Sequence, residues 1–173
     1  MDVSARGPSF TIRKFSDVPI SIVQLVQYNT LSAEEAAYVW LALEYGQSVF
    51  ADKSKLELGI IDMVAKDYTD ANTYLQDLAQ SRTDEIGAEA QFYLGEILYE
   101  QNNYQDAISA FVTVGTVFQA YDQWVTKSNL RLGDCYAKLK DYRKAKEIYR
   151  SVFINHHSDV FGTEARLKLR KLR

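Results

Sequence analysis

Across residues 52–173 apolar positions recur three and four apart, in stripes interrupted by short polar runs, which is the spacing of amphipathic helices. Within Glu89–Tyr99 the apolar Phe92, Leu94, Leu98 and Tyr99 alternate with Glu96 and Glu100. Within Tyr104–Phe118 the stripe is Ala107, Ile108, Phe111, Val112 and Val114. Gln101-Asn102-Asn103 separates the two and favours a turn. Lys66-Asp67 and Lys140-Asp141 break the pattern in the same way. The spacing therefore predicts helix–turn–helix units.

The units are copies of one another. Gly59, Gly95 and Gly133 are each preceded by a leucine (Leu58, Leu94, Leu132), and stand 36 and 38 residues apart. A tyrosine follows each by nine residues (Tyr68, Tyr104, Tyr142), and an alanine by twelve (Ala71, Ala107, Ala145). A period of this length belongs to helical-hairpin arrays. Glycine inside a helix costs about 1 kcal/mol relative to alanine, so its recurrence at one phase predicts two backbones approaching too closely for a Cβ. The alanine is the expected small residue opposite it. The tyrosine, opening the second helix, is expected to set the hairpin angle.

These residues resemble a tetratricopeptide repeat protein. The Leu-Gly pair, an apolar or aromatic residue three later (Leu98, Tyr136), the Tyr, the Ala and a large apolar residue four beyond it (Leu75, Phe111, Tyr149) are all in place. The early tryptophan is replaced by Lys55, Gln91 and Asn129, the terminal proline is missing, and Asp62 stands where Leu98 or Tyr136 would. The resemblance implies an all-α fold, an α-α superhelix of about three hairpins (about 52–85, 86–121 and 122–158) with a capping helix at 162–173. Arg166, Lys168, Arg170, Lys171 and Arg173 give that last helix the polar outer face a terminal repeat requires. The resemblance also implies a concave groove lined by the first helices. By phase its positions are Leu56, Ile60, Phe92, Glu96, Tyr99, Lys127, Leu130, Asp134 and Lys138. An aromatic and acidic wall followed by a lysine-bearing one suits a protein or peptide partner with basic and apolar residues. Apolar residues occupy the phase where some relatives carry carboxylate-clamping lysines, which argues against a chaperone C-terminus as ligand.

Residues 1–51 lack this phasing and read as a separate N-terminal extension: an extended run at Ser9–Phe15, then helices at Pro19–Tyr28 and Ser32–Gly46. Ser32 and Glu35 form a capping box. The strings 6–15, 29–32 and 37–41 resemble the segment that precedes the phosphate-binding loop of secretion and archaellum assembly ATPases. That loop needs a glycine-rich turn ending in Gly-Lys-Ser/Thr, yet no glycine falls between Gly46 and Gly59. ATPase activity is therefore not expected. An accessory role in a secretion, pilus or archaellum machine, with residues 7–50 contacting the motor, is the competing expectation. A natural fusion, a truncation or an engineered chimera each account for the join near Ala51.

Composition narrows the chemistry. The 173 residues carry a net charge of −3 that hides a polarity. Residues 1–123 hold 7 Lys/Arg against 18 Asp/Glu, and residues 124–173 hold 13 against 5. The basic end is an alternative contact for an anionic partner, though the acidic remainder argues against nucleic acid. Cys135 is single and reads as a small buried hydrophobe. His156 and His157 are adjacent, so on a helix they diverge, and no metal-ligand spacing completes a site. No local catalytic motif appears, and neither an enzyme activity, a cofactor nor a small-molecule substrate is expected. No apolar run approaches the roughly 18 residues of a membrane span, the first residues lack a secretory signal, and a cytoplasmic location is expected. A missing native N-terminus would instead allow the envelope. Val125 and Phe161 are candidates for self-association into a homo-oligomer.

Overall fold

A computed structural model describes residues 49–172, with side chains from Ala51 onward. The expected extended run and two helices of the N-terminal extension, and the ATPase-like strings, lie outside those residues. The described residues form seven helices and no strand: α1 Val49–Ala65, α2 Tyr68–Ser81, α3 Glu85–Glu100, α4 Tyr104–Val117, α5 Asp122–Lys138, α6 Tyr142–Asn155 and α7 Val160–Lys171. This is the all-α repeat architecture the spacing predicted.

Each hairpin turn is made the same way. Lys66, Asn102 and Lys140 stand seven residues after their glycines and are the described non-glycine residues with positive φ, at 67°, 61° and 64°. Their amides donate three residues back, to Met63, Tyr99 and Ala137, at 3.0–3.1 Å. The next amide (Asp67, Asn103, Asp141) donates five back, to Asp62, Leu98 and Tyr136, at 2.8–2.9 Å. That bond pair is the Schellman motif, which satisfies carbonyls a helix end would leave orphaned. The same Asp67, Asn103 and Asp141 are the N-caps of α2, α4 and α6. One residue thus closes a helix and opens the next.

Tyr68, Tyr104 and Tyr142 are the first residues of those second helices. Tyr104 meets Tyr99 edge-on at 5.4 Å between centroids and donates to Asn102 at 2.6 Å, whereas Tyr142 is half exposed.

Ala71, Ala107 and Ala145 are completely buried, and a large side chain comes nearer to each glycine than they do. A Cβ on Gly95 would stand 2.5 Å from the Phe111 ring, and one on Gly59 would stand 2.8 Å from Leu75. On Gly133 it would run into Tyr149. At Gly59 the Ala71 carbonyl also faces the missing Cβ, at 3.5 Å. One helical turn beyond the alanine, the large side chain packs directly against the glycine and occupies the space a Cβ would need.

Three buried clusters follow the array. Leu56, Leu75, Leu78 and Ile97 join α1, α2 and α3; Phe92, Phe111, Phe118 and Trp124 join α3, α4 and α5. Leu130, Tyr149, Val152 and Ala165 join α5, α6 and α7. From α3 onward the first helices also touch each other, α3 on α5 and α5 on α7, whereas the second helices do not. The second helices therefore form separate ridges on the outside. α7 begins at Val160 because the Asp159 carboxylate accepts from the Gly162 amide at 3.0 Å.

Candidate functional site

The layer of first helices carries a linked set of ion pairs. The residues after Gly95 and Gly133 each meet, across neighbouring units, the residue two before the next position of that phase, Gly133 or Arg170. Glu96 of α3 pairs with Arg131 of α5. Asp134 of α5 pairs with Lys168 of α7, both oxygens at 2.7 Å. At the first step the same register holds Ile60 and Tyr93, partly buried against one cluster. The result is a ladder: apolar, then acid–base, then acid–base.

The rungs are tied together. Arg131 also reaches Asp134 at 3.5 Å and lies over the Tyr99 ring at 5.2 Å. The Tyr149 hydroxyl donates to Asp134 at 2.6 Å. Burial, and secondarily Asp134, push the Tyr99 phenol up to about 12. Burial raises Glu96 as well, against the pull of Arg131. Its Oε1 has no partner among the described residues while its Oε2 accepts from Arg131.

The expected groove set divides on this geometry. Leu56, Phe92 and Leu130 are 3%, 8% and 3% exposed and belong to the core, a correction with a simple cause. Three residues before the glycine lies on the glycine's own side of the helix, facing the second helix. Glu96 and Asp134 are engaged in the ladder. Ile60 and Tyr99 are half-buried. Lys127 lays its ammonium 3.9 Å from the Trp124 ring centroid, a cation–π contact. Lys138 is exposed in the last turn of α5.

Sequence reasoning missed Arg131, Tyr93, Glu57 and Glu89, and it assigned Lys168 to the outer face of the last helix, whereas Lys168 turns in to pair with Asp134. Glu57 is exposed on α1 and Glu89 half-buried on α3, and neither forms an ion pair among the described residues. Burial and then Glu57 push the Glu89 carboxyl up, with Lys127 opposing. Burial, Glu89, Glu57 and Glu96 together push the Tyr93 phenol up. A tyrosine among three carboxylates is a locally negative, half-apolar surface.

No reacting constellation emerges among the described residues. Cys135 is fully buried and burial raises its thiol to about 12, so it is held as the unreactive thiol. His156 donates or accepts at Thr126 (2.9 Å) and Asp159 (2.8 Å), tying the start of α7 to α5. No cluster of three metal-ligating side chains occurs among the described residues, and none of their helices is long and apolar enough to cross a membrane.

Comparison with known proteins places this geometry in context. Residues 20–173 match the family model described as a tetratricopeptide repeat-like domain. Uncharacterized protein MJ0900 of Methanocaldococcus jannaschii is 67% identical over 49 residues, 28% of this chain and 9% of that protein. Uncharacterized protein MJ0781 of the same organism is 40% identical over 43 residues, 25% of this chain and 6% of that protein. The chain thus spans less than a tenth of the length of these curated relatives. No solved structure matches it.

Proposed function

The chain belongs to the tetratricopeptide repeat-like domain family, and from that premise we propose that it is a non-enzymatic protein–protein interaction module. Its first-helix layer holds a peptide or partner segment bearing basic and apolar residues. The observation that supports this reading is that Glu57 and Glu89, on neighbouring first helices, form no ion pair among the described residues, while Lys127 and Lys53 oppose Glu89 only in part. Later steps of the same layer pair their acids directly with a cation; this one does not. Ile60, Tyr93 and Tyr99 supply apolar contact beside them, and Lys127 and Lys138 mark the far end of the groove.

Fluorescence anisotropy with two amphipathic peptides tests it, one lysine/leucine and one glutamate/leucine. The basic peptide is expected to bind the intact chain more tightly. Glu57→Lys combined with Glu89→Lys is expected to weaken it about tenfold, or 1.4 kcal/mol. Equal affinity for both peptides, or no response to the substitutions, sinks the reading.

The resemblance of residues 7–50 to secretion and archaellum ATPases supports a second reading, an accessory subunit that meets a motor through that segment. Deleting residues 7–50 would then abolish motor association while leaving the helical repeats folded.

A further inference from the structure

By register α7 is a fourth first helix. Leu169-Arg170 stands 37 residues after Leu132-Gly133, and Lys168 takes the ladder place in α7 that Arg131 takes in α5. In the earlier first helices the residue three before the glycine, Leu56, Phe92 or Leu130, is buried in a cluster shared with the second helix. At that phase α7 carries Leu167, which is 49% exposed. Ala88 and Thr126, seven before their glycines, are buried, whereas Thr163 at the same phase is exposed. Among the described residues the helices that α7 packs on are α6 and α5. Leu167 and Thr163 line a shallow depression with Val160 and Glu164, on the side where each earlier unit lays its second helix.

The unengaged charge around this face is of one sign. Arg166, Arg170 and Lys171 are exposed and form no ion pair or side-chain hydrogen bond among the described residues. The acids beside them are taken: Asp159 accepts from the Gly162 amide and meets His156, and Glu164 pairs with Lys168 at 3.3 Å. Earlier units show where residues at these phases reach. Lys55, four before Gly59, donates to Asp77 of α2 at 3.0 Å. Gln91, four before Gly95, donates to the Ala110 carbonyl of α4 at 3.2 Å. Arg166 holds that phase in α7. Arg170 replaces the glycine itself, so no ring can seat there as Tyr149 does on Gly133, whereas a carboxylate can meet it. Lys171 holds the ladder phase at which Glu96 and Asp134 are acidic, so the sign required of the next element is reversed.

From this arrangement we infer that the open face of α7 docks an amphipathic helix of a partner protein, apolar toward Val160 and Leu167 and acidic toward Arg166, Arg170 and Lys171. The partner helix lies where a fourth second helix would lie, a helix-in-groove mode with guanidinium–carboxylate pairs along its edge. A second copy of this chain has no such helix to spare among the described residues, because α2, α4 and α6 each bury their apolar side in their own hairpin. This face is distinct from the groove around Tyr93.

Fluorescence anisotropy of the full chain with two labelled glutamate/leucine peptides of identical composition tests this. One peptide segregates leucine and glutamate onto opposite helix faces, and the other scrambles them. The segregated peptide is expected to bind with a dissociation constant on the order of 100 µM, more weakly than the lysine/leucine peptide binds the groove, and to weaken further with salt. Arg166→Gln combined with Arg170→Gln is expected to raise that constant about tenfold, leaving the lysine/leucine affinity and the helical circular dichroism signal unchanged. Leu167→Gln is expected to weaken the segregated peptide severalfold, and Leu167→Met to restore it. Equal binding of the two peptides overturns the inference, as does indifference to the arginine and Leu167 variants. A thymidine oligonucleotide that binds as tightly as the segregated peptide and ignores Leu167→Gln would make the face a general polyanion surface and overturn it too. Sedimentation equilibrium showing a dimer that Leu167→Gln dissolves would assign the face to a second copy instead.

Discussion

Glycine has two opposite meanings in this chain, and the contact that each one faces separates them. Beneath Tyr149 and Phe111 a Cβ has nowhere to go, so Gly133→Ala and Gly95→Ala are expected to cost about 1–3 kcal/mol through overpacking. At Gly115 a Cβ would meet nothing within 4 Å, so Gly115→Ala is expected to stabilise by up to about 1 kcal/mol. Urea midpoints with unchanged slopes measure both. Equal signs at Gly133 and Gly115 would refute the seating of Tyr149. Glu89 makes a second case at this scale. Its carboxyl is raised above 4.5 by burial and Glu57, so the folded chain holds that proton more tightly than the unfolded chain. Stability from this group is full below the unfolded value and falls as pH rises through the raised one. Glu89→Gln is therefore expected to melt higher than the wild type at pH 7, with the difference shrinking to nothing near pH 4. A difference that grows on acidification would contradict the burial argument.

At the scale of the element, the hairpin turn is the most constrained local structure. Lysine at positive φ costs about 1–2 kcal/mol relative to a residue free of Cβ crowding, and the Schellman bonds hold Lys66 and Lys140 there regardless. Lys140→Gly is accordingly expected to stabilise by roughly 0.5–1 kcal/mol, net of the glycine's greater unfolded freedom. Thermal melting measures it, and a loss of stability would mean that the Lys140 side chain contributes more than its backbone strain. The turns were legible beforehand because Lys66-Asp67, Gln101-Asn102-Asn103 and Lys140-Asp141 interrupt the apolar stripes. Helix phase was legible for the same reason. Which side chain comes nearest each glycine was not: alanine and the large residue four later share one face of the second helix. Size alone does not say which of the two reaches across.

At the scale of the whole molecule the ladder couples successive units. Arg131→Met leaves Glu96 buried without its cation and is expected to cost about 2–3 kcal/mol. That is less than a fully buried pair would lose, because Arg131 is a third exposed and partly screened. The double change Glu96→Leu with Arg131→Met is expected to recover most of that loss. Additive losses in the double-mutant cycle would show that the two side chains do not act together. The ladder escaped sequence reading because its partners sit 35 and 34 residues apart. Pairing them requires the inter-unit register, which the glycine phase alone does not supply. Leu56, Phe92 and Leu130 were misread as groove positions for a related reason. Family phase placed them on a wall, whereas their size and their spacing from the glycine mark the core.

The ladder also decides which way such an array can lengthen. A unit whose leading position is basic and whose trailing position is acidic can be followed by its own duplicate, since Asp134 would find a second Arg131 and the duplicate's Asp134 would still find Lys168. Copying the middle unit in tandem would instead set Glu96 against a second Tyr93, a carboxylate with no cation. Of these two, the hairpin from Asp122 to Asn155 is the one whose tandem copy would keep every rung paired.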